Sequence, residues 1–403
     1  MFLLKNKILK IFIIVTLIIS PLFFMVYYMN ATVITTPMDT FFQKGICYAT
    51  WQKDRFSSTY SDESLELLKK MGVEYVQINV TQYQDKYNST KIKSTDLTPS
   101  DKSVRHVIKK AHALGLKVML KPHIDLIYNE DDTYWRADIG FNKERDWKIW
   151  FKEYEDFIVH YAIIARKYNV EIFCVGTELS FTVQKTDYWH KIIDKIKEVY
   201  FGKLIYASNW DNYRNVYFWD RLDFVGIDAY FPLTYRPNPS VEEINQGWIK
   251  WKNAIEIWHK RVNKPIVFTE IGYASSLHAP SEPWKNGMGE ADVEIQAKCY
   301  QSFFESIWDS SWLAGVYWWR WAPTTRGGGK YNRKFTPLNK PAAKILEKYY
   351  KTFKEKKKNN ITIDISDNNL EYKEKSTLNN SSSKIIDSKI MLPVLKTSSS
   401  SSN

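Results

Sequence analysis

Two glutamates in this chain each close a short apolar run. Lys264-Pro-Ile-Val-Phe-Thr-Glu-Ile-Gly-Tyr273 passes abruptly from hydrocarbon to charge at Glu270, and Val170-Glu-Ile-Phe-Cys-Val-Gly-Thr-Glu-Leu179 does the same at Glu178. Such runs read as strands buried on both faces, the state a parallel sheet imposes. One glutamate at a strand end is as readily a structural acid bound to a backbone amide or an arginine. Two of them, separated by what three βα units of roughly 31 residues occupy in a barrel of about 250, converge on one mouth. A pair of carboxylates there can divide the work of breaking a glycosidic bond by the retaining route. One attacks the anomeric carbon, and the other gives a proton and later takes one.

The elements that must position this pair alternate along the chain. Strand patterns fall at Gly45–Thr50, Val73–Val80, Leu116–His123, Val170–Glu178, Leu204–Asn209, Leu222–Tyr230, Pro265–Glu270 and Ala314–Arg320. Helical periodicity separates them at Asp62–Met71, Lys102–Leu114, Glu144–Tyr168, Asp187–Tyr200, Val241–Val262 and Ala291–Asp309, and Pro341–Phe353 closes the set. The segment after the fifth strand, Tyr213–Asp220, is short for a helix. Eight alternations leave a closed barrel or a doubly wound open sheet. No glycine-rich phosphate fingerprint follows the first strand, and polar or aromatic residues gather at strand ends all along the chain, so the expected fold is a (β/α)8 TIM barrel. Strict alternation would put Ile266, Phe268 and Glu270 on one face of their strand, and Ile172, Cys174, Gly176 and Glu178 on one face of theirs.

The two carboxyls need opposite protonation. Glu270, as nucleophile, calls for donors such as the Tyr230 hydroxyl or an arginine. Glu178, as acid, calls for apolar surroundings and the nearby negative charge of Glu270 to raise its pKa. His123, Asp228 and Tyr230 close the third and sixth strands, where polar groups suit sugar hydroxyls, although a structural hydrogen bond explains each of the first two as well. The eighth strand, Gly315-Val-Tyr-Trp-Trp-Arg-Trp321, holds three tryptophans in four residues. Indole packs on the apolar C–H face of a pyranose, and alternation sets Trp319 and Trp321 on the same side as candidate sugar contacts.

Taken together, Leu120-Lys-Pro-His123, Val175-Gly-Thr-Glu-Leu179, Gly226-Ile-Asp-Ala-Tyr230, Thr269-Glu-Ile-Gly-Tyr273 with Pro283-Trp284, and Tyr317-Trp-Trp-Arg-Trp321 resemble glycoside hydrolase family 113, from roughly Phe41 to Tyr350. The resemblance implies Glu178 as acid/base, Glu270 as nucleophile and β-1,4-mannan or manno-oligosaccharides as substrate. It also exposes a departure from the wider clan of retaining barrels. The residue before the acid/base is usually an Asn that binds the sugar 2-hydroxyl, and here it is Thr177. That leaves a β-glucan or cell-wall glycan hydrolase as the alternative enzyme. A carbohydrate-binding pseudoenzyme or an assembly scaffold on the same barrel is disfavoured, because both acids and the tryptophans share one mouth.

The formal charge of +12 is not a nucleic-acid signature once divided. Lys5, Lys7 and Lys10 precede the apolar run 11–29, ten lysines face six acids in residues 351–403, and about +5 remains spread over the barrel. The run 11–29 can span a bilayer, ends in Tyr27, Tyr28 and Met29 like an aromatic belt, and has its lysines on the N-terminal side. Residues 1–30 are therefore expected as a signal anchor, with a cleaved signal peptide and a secreted product as the alternative. Next come a linker at 31–40, the barrel at 41–353, and a disordered Lys/Asn/Ser-rich tail at 354–403. The barrel would lie outside the cytoplasm, held by the membrane through 11–29, as a monomer. Three cysteines are too few for a disulfide framework, and the seven scattered histidines offer no metal spacing, so no metal and no cofactor are expected.

Overall fold

The computed structural model describes residues 42–128, 133–287 and 289–352. Eight parallel strands close into a barrel in chain order: β1 Gln43–Ala49, β2 Tyr75–Gln84, β3 Lys117–Leu126, β4 Ile172–Thr177, β5 Lys203–Asn209, β6 Phe224–Asp228, β7 Ile266–Ile271 and β8 Leu313–Trp321. Around them stand α1 Thr59–Lys70, α2 Asp101–Ala113, α3 Glu144–Lys167, α4 Thr186–Val199, α5 Val241–Val262, α6 Val293–Ser306 and α7 Pro341–Thr352. Several helices start where a short polar side chain takes an orphan N–H. Ser58 does this for α1, which begins at Thr59 and not at Asp62, and Ser240 forms a capping box with Glu243 at α5. After β5 two single 3-10 turns, Tyr213–Asn215 and Trp219–Arg221, replace the short helix read from sequence. Their aromatic residues serve as plugs, with Tyr213 and Trp219 both packed edge-on against Trp258 of α5.

Two apolar layers result. Cys47, Tyr75, Met119, Ile172, Cys174, Ile205, Phe224, Val267 and Tyr317 fill the barrel lumen. Ile46, Val118, Phe173, Val225, Phe268 and Trp318 point the other way, into the layer shared with the helices. All three cysteines are buried free thiols.

Simple alternation positions the site on only some strands. On β3 it holds: Met119 lies in the lumen, Lys121 and His123 follow on the same face, and Asp125 reaches the rim. On β4, β7 and β8 it fails, and the ladder shows why. Cys174 pairs with Ile205 and Thr177 with Ala207, so β4 uses three residues where β5 uses two. Likewise Phe268 and Ile271 of β7 pair with Val316 and Trp318, and Trp318 and Trp321 of β8 pair with Ile46 and Tyr48. Each is a β-bulge, and one extra residue exchanges the two faces for everything beyond it. The expected single-face sets are corrected accordingly. Ile266 and Phe268 face the helices although Glu270 reaches the mouth, and Gly176 faces Trp189, Tyr154 and Tyr206 instead of the lumen.

A Cβ at Gly176 would stand 2.7 Å from the Trp189 ring and 2.9 Å from the Tyr154 hydroxyl. Gly176→Ala should therefore destabilise the protein by about 1–3 kcal/mol through overpacking, seen as a lower urea midpoint at constant slope. An unmoved midpoint would mean that the layer behind β4 has room to spare.

The segments expected as anchor (1–30, with the apolar run 11–29), linker (31–40) and tail (354–403) lie outside the described residues. Among the described residues, no helix is long and apolar enough to cross a membrane.

Candidate active site

Lys121 is the hub of the mouth. Its side chain is fully buried, and its Nζ lies 2.6 Å from Glu270 Oε1 and 3.1 Å from Asp228 Oδ1, so one cation on β3 ties together the ends of β6 and β7. Burial works against the ammonium, but Asp228 and then Glu270 outweigh it and hold Lys121 above the ordinary lysine range. The Thr269 hydroxyl donates to Asp228 Oδ1 at 2.7 Å. Asp228 is thus enclosed and saturated by protein groups, and the expectation that it meets a sugar hydroxyl is corrected: with no exposed surface it positions Lys121. Burial is also the largest cause of the rise of its carboxyl well above the usual carboxylate range.

Glu270 receives a second donor on its other oxygen, the Tyr230 hydroxyl at 2.7 Å. Burial first, then the charge of Glu270, push the Tyr230 phenol well up, so it stays protonated and donates. Thr269 and Glu270 both project into the lumen side of β7 because of its extra residue.

Glu178 follows β4 with a left-handed backbone, φ +52°, unusual for a residue with a side chain. Its N–H donates to the Ala207 carbonyl at 2.8 Å, and the next N–H, of Leu179, to the Tyr206 hydroxyl at 3.0 Å, which pins the conformation. The carboxyl is buried. Arg136 Nη1 donates to its Oε2 at 2.7 Å, while the same guanidinium binds Asp125 Oδ2 at 3.0 Å and the Ile124 carbonyl at 3.0 Å. Burial raises the Glu178 pKa most, Arg136 opposes it, and the charge of Glu270 adds to the rise, leaving it above the usual range. Sequence reasoning anticipated that direction and the Tyr230 contact. It offered an arginine as the alternative to Tyr230 at Glu270, where the second donor is Lys121, and gave Glu178 no donor, where Arg136 stands.

His123 is buried beside these groups, its Nε2 2.8 Å from the Asn79 amide, and burial, then Lys121 and Arg136, hold it neutral. Trp319 is partly exposed against Tyr230, Ala274 and Phe335. Trp321 does not join it. The extra residue of β8 turns it into the helix layer, where it is 1% exposed and its Nε1 donates to Ser64 Oγ, so its assignment as a sugar contact is corrected. Among the described residues no group of three His, Cys, Asp or Glu side chains is placed to hold a metal ion. A cavity of about 860 Å³ opens on the flank between residues 92–101 and α3, and neither glutamate lines it.

The sequence profile of Glycoside Hydrolase Family 113 matches residues 47–340, most of the chain. The chain belongs to glycoside hydrolase family 113. Among solved structures, a GH113 β-1,4-mannanase is 29% identical, covers 78% of this chain and 100% of its own, and superposes with a TM-score of 0.71. The GH113 β-mannanase AaManA from Alicyclobacillus acidocaldarius, solved in complex with ManMIm, is 25% identical over 78% of this chain and 98% of its own, with a TM-score of 0.70. Comparison with curated proteins gives no match.

In this family 113 barrel the residues missed from sequence are Lys121, Arg136, Asn79 and the outer aromatics. Trp51 and Trp210 each lie just past a strand end, which was the available signal. Trp51 meets Trp319 edge-on at 6.4 Å, and Trp210 stacks on the exposed Trp284 at 5.9 Å. Arg136 lies well beyond β3 in a connection with no periodicity, and nothing local marks it.

Proposed function

We propose that the chain is a retaining glycoside hydrolase acting on β-1,4-mannan or manno-oligosaccharides. The observation that carries the chemistry is the unequal dressing of the two glutamates. Glu270 has Lys121 and Tyr230 on its two oxygens, while Glu178 sits buried with a raised pKa. A Glu270 oxygen attacks the anomeric carbon as the C–O bond to the leaving group breaks, and the Glu178 proton passes to the departing oxygen. Water then gives its proton to the Glu178 carboxylate and attacks the same carbon, and Glu270 leaves as a carboxylate facing Lys121 and Tyr230 again. The substrate assignment is supported by the β-mannanases among its structural relatives. The residue before the acid is Thr177 and not Asn; it is buried, with its hydroxyl within contact distance of Cys174 Sγ. A hydrolysis screen on β-mannan, β-glucans and peptidoglycan, with product lengths resolved, tests the reading. Cleavage of β-glucan or peptidoglycan but not mannan would replace the substrate, and no cleavage at all would replace the enzyme by a binding protein.

We further propose that the barrel is exported and held at the membrane by residues 11–29, supported by the apolar run and the lysines before it. Recovery of a shortened chain in the soluble extracellular fraction would show a cleaved signal instead.

The acid assignment has a pH consequence. Arg136 is the strongest influence opposing protonation of Glu178, so Arg136→Gln should let Glu178 keep its proton to still higher pH. The alkaline limb of kcat/KM falls as the acid loses its proton, and it should therefore move to higher pH in the variant. A limb that stays in place or moves down would separate Arg136 from the acid.

A further inference from the structure

The loop after β8 builds a second, smaller cavity of about 210 Å³, lined by Arg320, Arg326 and Lys334 and by no acidic side chain. Its cations differ from those of the mouth. Lys121 and Arg136 are each tied to two carboxylates, whereas among the described residues none of these three is in an ion pair. Arg320 is part-buried, its guanidinium 4.6 Å over the Trp51 ring, and burial acts against its charge. A desolvated guanidinium with no counter-ion is expensive to keep, and a bound anion would supply what the protein omits.

The cavity is built, not incidental. The Lys334 carbonyl accepts from Ser275 Oγ at 3.1 Å and from Lys340 Nζ at 2.7 Å, and its N–H donates to Asn332 Oδ1 at 3.0 Å. Gly328 is left-handed at φ +69°, and a Cβ there would stand 1.8 Å from the Leu338 carbonyl, so the loop closes tightly at that point. The cavity also adjoins the catalytic mouth. Arg320 follows Trp319 directly, and Phe335, which lines the cavity, packs on Tyr230, the donor to Glu270. At this volume it is smaller than the usual small-ligand pocket and suits one charged substituent better than a whole ligand.

We propose that this cavity is a subsite for an anionic group, a carboxylate or a phosphate ester, carried by the glycan held beside Glu270. The inference rests on the glycan-hydrolase reading and narrows its substrate class to acid-decorated β-linked glycans. The test compares three probes on the full-length chain: neutral β-1,4-mannohexaose, the same chain with one glucuronic acid branch, and the same chain with one phosphate monoester. Both kcat/KM and calorimetric affinity are measured. At least one acidic probe should be preferred by about tenfold or more. Arg320→Gln with Lys334→Gln should bring the acidic-to-neutral ratio close to one, and so should about 1 M salt. A uronate preference or a phosphate preference names the group. Equal handling of acidic and neutral probes by the unmodified protein, or a preference that the paired variant leaves intact, would overturn the inference. If no probe is hydrolysed, the enzymatic reading fails, and the calorimetric ratio still decides the subsite.

Discussion

Glu270→Ala should lose turnover on the order of 10⁴-fold or more, and adding azide should give an inverted glycosyl azide if it rescues at all. With the nucleophile gone, azide can enter the space Glu270 vacates and attack the anomeric carbon once. Glu178→Ala should behave differently. A substrate with a good leaving group needs no proton to release it, so Glu270 still forms the glycosyl ester. Azide then displaces that ester, and the product keeps the configuration of the substrate. Proton NMR of the products distinguishes the two anomers. Exchange of the two outcomes would reverse the roles, and full activity in either variant would remove that residue from the chemistry.

Lys121→Met should cost about 3–5 kcal/mol of stability, because it leaves Asp228 and Glu270 buried and facing each other without their shared cation. Turnover should fall on the order of 10²-fold as well, since the donor that fixes one oxygen of Glu270 is lost. Chemical denaturation and steady-state kinetics measure the two effects. The double variant Lys121→Met, Asp228→Asn should regain part of the stability, because one of the two stranded charges has gone. If Lys121→Met unfolds at the wild-type midpoint, the buried triad is not a linked unit.

How far the fold could be read from sequence depended on how local its causes are. The barrel was legible because each strand carries its own apolar run and each helix its own period, as at Val170–Gly176 and in the capped start of α5. Both glutamates were legible for the same reason, being charges at the ends of hydrocarbon. The orientation of their strands was not. A bulge on β4, β7 or β8 arises from a mismatch of two strands distant in sequence, so Gly176, Phe268 and Trp321 gave no local sign of the face they take. Partner identity was equally hidden. Lys121 lies in the segment Leu120-Lys-Pro-His123, yet only barrel closure brings it from β3 to β6 and β7, and Arg136 reaches Glu178 from an aperiodic connection.

The extra residue in β4 makes this site tolerant of a kind of change that its chemistry does not suggest. In a regular strand a deletion shifts the phase of every position after it, but at a bulge the residue lost can be the one that had no partner. Loss of Val175 or Gly176 would leave Cys174 opposite Ile205 and Thr177 opposite Ala207 in regular alternation, with Glu178 still next in line to meet Arg136. A relative one residue shorter between Cys174 and Thr177 would therefore keep its glutamate at the mouth, although a motif that fixes the spacing would pass it over. In this architecture, register across the ladder is inherited information as much as spacing along the chain.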